Sequence, residues 1–164
     1  MGRIGGRIAE IAQNGFGAEA SYWSKNRKKA LENKKFTYKT LHALLKESDF
    51  ISLNLAFTPE IKHFLGKKEI NMIKPGAVVI NLAPMELVDI PALAQRLSKK
   101  DITFILDHSD ELSKEEAKLL SKYKNCIMVP PIGYITREST VAKLSMFVDN
   151  LENFLEGKAQ NVVS

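Results

Sequence analysis

The sequence holds one cysteine, one tryptophan and three histidines in 164 residues. A lone thiol, Cys126, cannot form an internal disulfide, and it suits a reducing compartment such as the cytoplasm. No spacing among histidines, cysteines and acids matches a zinc template, so no metal is expected. Long apolar runs are also missing. None approaches the roughly 20 residues that a membrane-spanning helix needs, and the first residues lack the apolar stretch of a secretory leader. No internal repeat, low-complexity tract or linker is visible. The expectation is one cytoplasmic domain over residues 1–164. Its composition, 45% hydrophobic and 26% charged, is ordinary for a soluble core-forming chain.

What is present is unevenly placed. The net charge is +5, and KNRKKALENKK at residues 25–35 carries six basic residues and one Glu. That stretch alone accounts for the excess, and the rest of the chain sums to neutral. Such a run is either a solvated surface or a local anion site. A nucleic-acid binder would more often spread its cations over a face interleaved with aromatics, so nucleic acid is not the expected partner.

Apolar positions alternate between two patterns along the chain. Ile4, Ile8, Ile11 and Ala12 recur at helical spacing, with Gly15 as the expected stop. A short β-prone run follows at Ala18–Trp23. Leu41, Leu44 and Leu45 mark a helix before the strand in SDFISLNLA. Thr58-Pro59-Glu60 has the form of a capped helix start, and Lys67–Ile73 continues as a short helix. AVVIN and ITFIL read as buried strands, separated by a helix that Asp89 caps, with Pro91 in its first turn. SKEEAKLLSKY is a helix with acids at its N-terminal end, NCIMV the last strand. Val141, Leu144, Val148, Leu151 and Leu155 mark a long final helix stopped at Gly157. Strands apolar throughout, separated by amphipathic helices, imply an α/β fold with a doubly wound, mostly parallel sheet.

Gly2-Arg3-Ile4-Gly5 resembles the back half of G-x-G-x-x-G, without its first glycine and without the apolar strand that should precede it. Glycines there let backbone N–H groups at a helix start approach a pyrophosphate. The alternative is an ordinary glycine-containing helix start. Position favours the loop: a helix follows, then a strand ends at Trp23-Ser24, where a residue that reads the ribose belongs. An acid there would bind the 2′-hydroxyl of NAD. This sequence offers Ser24, then Lys25, Arg27 and Lys28, a set suited to a 2′-phosphate. NADP(H) is therefore expected in preference to NAD(H).

The chain from Gly2 to Val163 resembles the nucleotide-binding domain of the D-isomer-specific 2-hydroxyacid dehydrogenases, the glyoxylate and hydroxypyruvate reductases among them. The stretches that carry the likeness are GRIGGRIAEIAQNGFGAEASYWS, LLKESDFISLNLAFTPEIKHFLGKKEINMIKPGAVVIN, LVDIPAL, ITFILDHSDE and NCIMVPPIG. The resemblance implies a Rossmann-type sheet and a nicotinamide dinucleotide as partner. It further implies hydride transfer with a small 2-keto acid, and dimerisation through this domain. By the same likeness Arg3 and Ile4 would face the pyrophosphate, and Leu55 and Ala56 the adenosine side. Ala83 and Asp107 would hold the nicotinamide carboxamide, with Gly133 nearby.

The likeness fails at the chemistry. The family's arginine, glutamate and histidine fall at Pro84, Leu112 and Pro131, none of which can carry a charge or trade a proton through its side chain. No catalytic residue is intact. His108, beside Asp107, is the one substitute proton donor worth naming, with Glu86, Asp110 and Glu111 near the same positions. His42 and His63 read as structural. The missing first strand leaves two ladder edges that a partner could pair, that the sheet could close up, or that a longer protein would complete. Two readings follow: a catalytically impaired NAD(P)-binding domain, or a dimerising scaffold subunit that no longer binds nucleotide.

Overall fold

The computed structural model describes residues 1–29, 36–130 and 135–162. It divides into two compact units, Met1–Pro130 and Pro131–Ser164.

The first unit starts with α1 (Arg3–Phe16), followed by β1 (Ser21–Tyr22). The helix runs one residue past Gly15, to Phe16, and its C-cap is Gly17, whose φ of 64° is left-handed and favours glycine. β2 (Thr37–Tyr38) pairs with β1 in parallel. It was not foreseen, since two residues leave no period to read. After α2 (Leu41–Glu47) come β3 (Phe50–Leu53), α3 (Lys67–Met72), β4 (Val78–Asn81), α4 (Ile90–Leu97), β5 (Thr103–Leu106), α5 (Lys114–Leu120) and β6 (Cys126–Met128). These four strands form one parallel sheet in the order β3-β4-β5-β6.

Because spatial order equals chain order, each right-handed crossover places its helix on the same face. That face holds the core. Ile51, Leu53, Val79, Phe104, Leu106 and Cys126 point into it beneath Leu45, Ile70, Leu93, Leu97 and Leu120. The opposite face of the same strands keeps Phe50 and Ile127 exposed. Helix ends are set locally. Thr40 and Asp89 accept from Ala43 and Ala92, and Ser113 and Glu116 form a reciprocal capping box. Thr58-Pro59 departs from expectation. It opens only a single 3₁₀ turn, Pro59–Ile61, with no side-chain cap. Instead the Thr58 hydroxyl bonds the carboxylate of Glu60 and holds its pKa below the usual range.

The β1–β2 pair and the four-stranded sheet stay separate. Among the described residues, β1 pairs only with β2 and β3 only with β4, so each has one edge without a ladder partner.

The second unit contains α6 (Arg137–Leu155), capped by Thr136 and followed by Gly157 at a φ of 73°. None of the residues of α6 is buried.

Candidate functional site

All strands of the first unit's main sheet are parallel, and the register aligns Leu53, Asn81, Leu106 and Met128. The segments that follow them therefore emerge at one edge, the edge at which open α/β sheets bind ligands. Leu55 and Ala56 follow β3, Ala83 and Pro84 follow β4, and Asp107 and His108 follow β5.

The first helix begins at this edge. Gly2 is its N-cap, with no side-chain cap and no acid in the first turn. The N–H groups of that turn are thus left without a protein acceptor of the capping kind. A Cβ on Gly2 would meet no atom within 4 Å. Gly5 differs. It is the buried residue of α1, and a Cβ there would come within 3.3 Å of Met1 Cγ and 3.6 Å of Asn54 Nδ2. Position 5 thus packs α1 against the end of β3, where a Cβ would make ordinary contact with Asn54 and would press on the Met1 side chain. Arg3 and Ile4 are exposed.

The basic segment approaches the same place. Trp23 packs on Phe64 with ring centroids 5.0 Å apart, which joins the end of β1 to the loop after β3. The Met1 amino group has its pKa lowered by partial burial and then by the charge of Lys28. The Lys28 backbone is clamped by Tyr22, whose hydroxyl donates to its carbonyl and accepts from its N–H, both at 3.0 Å. Arg27 lies 5.5 Å over the Tyr38 ring. Ser24 is buried and spends its hydroxyl proton on the Asn26 carbonyl at 2.7 Å, shaping the turn that presents these cations. Lys25, Arg27 and Lys28 are exposed. Residues 30–35 of the run lie outside the described residues, as do Pro131 and Gly133.

Two asparagines organise the edge, and charge-based reasoning overlooked both. Asn81, fully buried, accepts the Ala83 N–H at 3.1 Å and donates toward Met85 Sδ at 3.2 Å, while its carbonyl accepts the Asp107 N–H at 3.1 Å. Asn54 donates to the Ser52 hydroxyl at 3.0 Å, yet its buried Oδ1 has no hydrogen-bond partner beside Gly5. The sequence did carry a signal: Asn-Leu-Ala ends both strand runs, at 54–56 and 81–83.

Pro84 opens a 3₁₀ turn, Met85–Leu87, and Leu112 packs against the core. His108 Nδ1 lies 3.3 Å from Glu111 Oε1. The His42 ring stands 3.9 Å from Glu69, and the His63 backbone N–H donates to the Glu86 carbonyl at 2.8 Å. Among the described residues no group of three potential metal ligands occurs, and no helix is long and apolar enough to cross a membrane.

Comparison with known proteins supplies the context. Residues 1–133 match the model for the NAD-binding domain of D-isomer specific 2-hydroxyacid dehydrogenases. A glyoxylate reductase of Aeropyrum pernix is 34% identical over 160 residues, covering 96% of this chain and 48% of that protein. The chain thus spans about half the length of the curated relatives it matches. The crystal structure of D-lactate dehydrogenase with NAD+ from Lactobacillus jensenii superposes with a TM-score of 0.86 at 27% identity, over 100% of this chain and 53% of that one. An acyclic imino acid reductase in complex with NADPH and D-Arg gives 0.83 at 27% identity, over 99% of this chain and 51% of that one.

Proposed function

This chain belongs to the D-isomer specific 2-hydroxyacid dehydrogenase family, and on that premise we propose that it is a nicotinamide-dinucleotide module that favours NADP(H) and has lost the family's acid–base groups. The observation that carries the reading is the meeting of two features at one sheet edge. They are the uncapped glycine start of α1 and the cations presented past Trp23.

The residues fit such a group. The α1 turn offers N–H donors to a pyrophosphate, open space lies above Gly2, and the unpartnered Asn54 Oδ1 can accept from a sugar hydroxyl. Lys25, Arg27 and Lys28 would surround a 2′-phosphate, and Leu55 and Ala56 would line the adenosine side. Ala83 and Asp107 would hold the carboxamide. A bound nicotinamide would supply a hydride donor or acceptor. Pro84, Leu112 and Pro131 give it neither carboxylate recognition nor a proton, so turnover of a small 2-keto acid by this chain alone is expected to be very slow. A cytoplasmic setting is part of the same proposal.

The test is a titration of NADPH and NADH followed by Trp23 fluorescence, since Trp23 directly precedes the cations. Tighter binding of NADPH, lost when Lys25 and Arg27 are changed to Ala, is the expected result. Equal affinity for the two nucleotides would remove the phosphate site.

A second reading, a dimerising subunit that no longer binds nucleotide, is favoured by one observation. Val141, Leu144, Val148, Leu151 and Leu155 of α6 are exposed and repeat at heptad spacing. Light scattering that shows a stable dimer, with no thermal shift from either nucleotide, would support it over the first.

A further inference from the structure

Glu111 is seated as a ligand would be. Its two carboxylate oxygens face different segments: Oε2 accepts the Met85 backbone N–H at 2.8 Å, and Oε1 lies at ion-pair distance, 3.3 Å, from His108 Nδ1. Met85 is only 4% exposed, whereas the Glu111 side chain is 32% exposed. The seat is built without help from Glu111. Asn81 fixes the backbone entering Met85 through the Ala83 N–H, and its side chain touches Met85 Sδ. On the other side the Ser109 hydroxyl bonds the Val129 carbonyl at 2.9 Å, fastening the turn that carries His108 to the end of β6.

A buried amide and an imidazole that embrace the two oxygens of one carboxylate make a recognition unit for carboxylates generally. The unit lies between the loop holding Ala83 and Pro84 and the loop holding Asp107. We propose that Met85 N–H and His108 form a binding site for a small monocarboxylate, 2-oxo acids included, and that Glu111 fills this site as an intramolecular plug. Glu111 is three residues from His108 on a single 3₁₀ turn, so its effective concentration exceeds that of a dissolved acid and a free carboxylate competes poorly. The proposal deepens the reading above, because it places the substrate end of the site beside Ala83 and Asp107.

The test omits nucleotide, so its failure is distinct from failure of the dinucleotide reading. Sodium formate, and then glyoxylate, is titrated into the full chain while the Met85 amide and the His108 ring are followed by NMR. Glu111→Ala should give saturable shifts at Met85 with a midpoint at least tenfold lower than any in the unaltered protein. Those shifts should vanish when His108→Ala is added. Glu111→Gln leaves a neutral, weaker acceptor in the seat and should fall between the two, which keeps the test decisive if the alanine variant does not fold. A folded variant whose Met85 amide ignores both acids, or an unaltered protein that responds as readily, would overturn the plug.

Discussion

Asn81 shows how much one uncharged residue can hold. Its side chain and carbonyl satisfy the Ala83 and Asp107 N–H groups of two successive loops. Changing Asn81 to Leu keeps the volume but strands the buried Ala83 donor, so urea denaturation should report a loss of about 1–3 kcal/mol. The same loops carry the proposed carboxamide contacts, and affinity for nucleotide should fall with stability. Cys126 is the contrasting case. Burial raises its pKa to about 11, against 9.0 for a free thiol. The thiol in the unfolded chain therefore ionises first as pH rises. Its contribution to stability is complete below pH 9 and is lost as pH rises through 11, a change of less than about 3 kcal/mol. Alkylation at pH 8 should be slow until denaturant is added, and a folded protein modified as fast as a free thiol would contradict that burial.

At the scale of elements, the caps written in side chains were the legible ones. Asp89 with Pro91, and Ser113 with Glu116, announce helix starts by chemistry that needs no tertiary partner. Asp89→Ala should cost about 1 kcal/mol, read from the denaturation midpoint. Leu93 on the same helix is fully buried, and Leu93→Ala should cost about 3 kcal/mol through the cavity it leaves. Strands β3 to β6 were visible as apolar runs because a parallel sheet buries its strand interiors. The short features were not. β2 spans two residues, and Thr58 spends its hydroxyl on Glu60 where a cap was expected. The candidate site was legible where glycine, cations and Asp107 advertise their chemistry. At Asn54 and Asn81 the only sign was the repeated Asn-Leu-Ala, and the Glu111 seat gave none, because these contacts depend on segments brought together only by folding.

For the molecule as a whole, the governing feature is the pair of unmatched edges on β1 and β3. The carbonyls of Asp49 and Leu53 accept from β4, so by alternation Phe50 and Ser52 direct their backbone groups to the open side. Hydrogen exchange should therefore release the Phe50 and Ser52 amides orders of magnitude sooner than those within β4 and β5, which have neighbours on both flanks. Comparable protection across all four strands would mean that the edge is covered in solution.

The open edge of β3 has a thermodynamic consequence. β3 runs directly into Asn54, whose side chain lies against Gly5 of α1, so an extended segment that pairs with this edge also bears on the start of that helix. Occupancy of the edge and occupancy of the proposed nucleotide site are then linked quantities. Whatever factor the first contributes to the second, the second must return to the first.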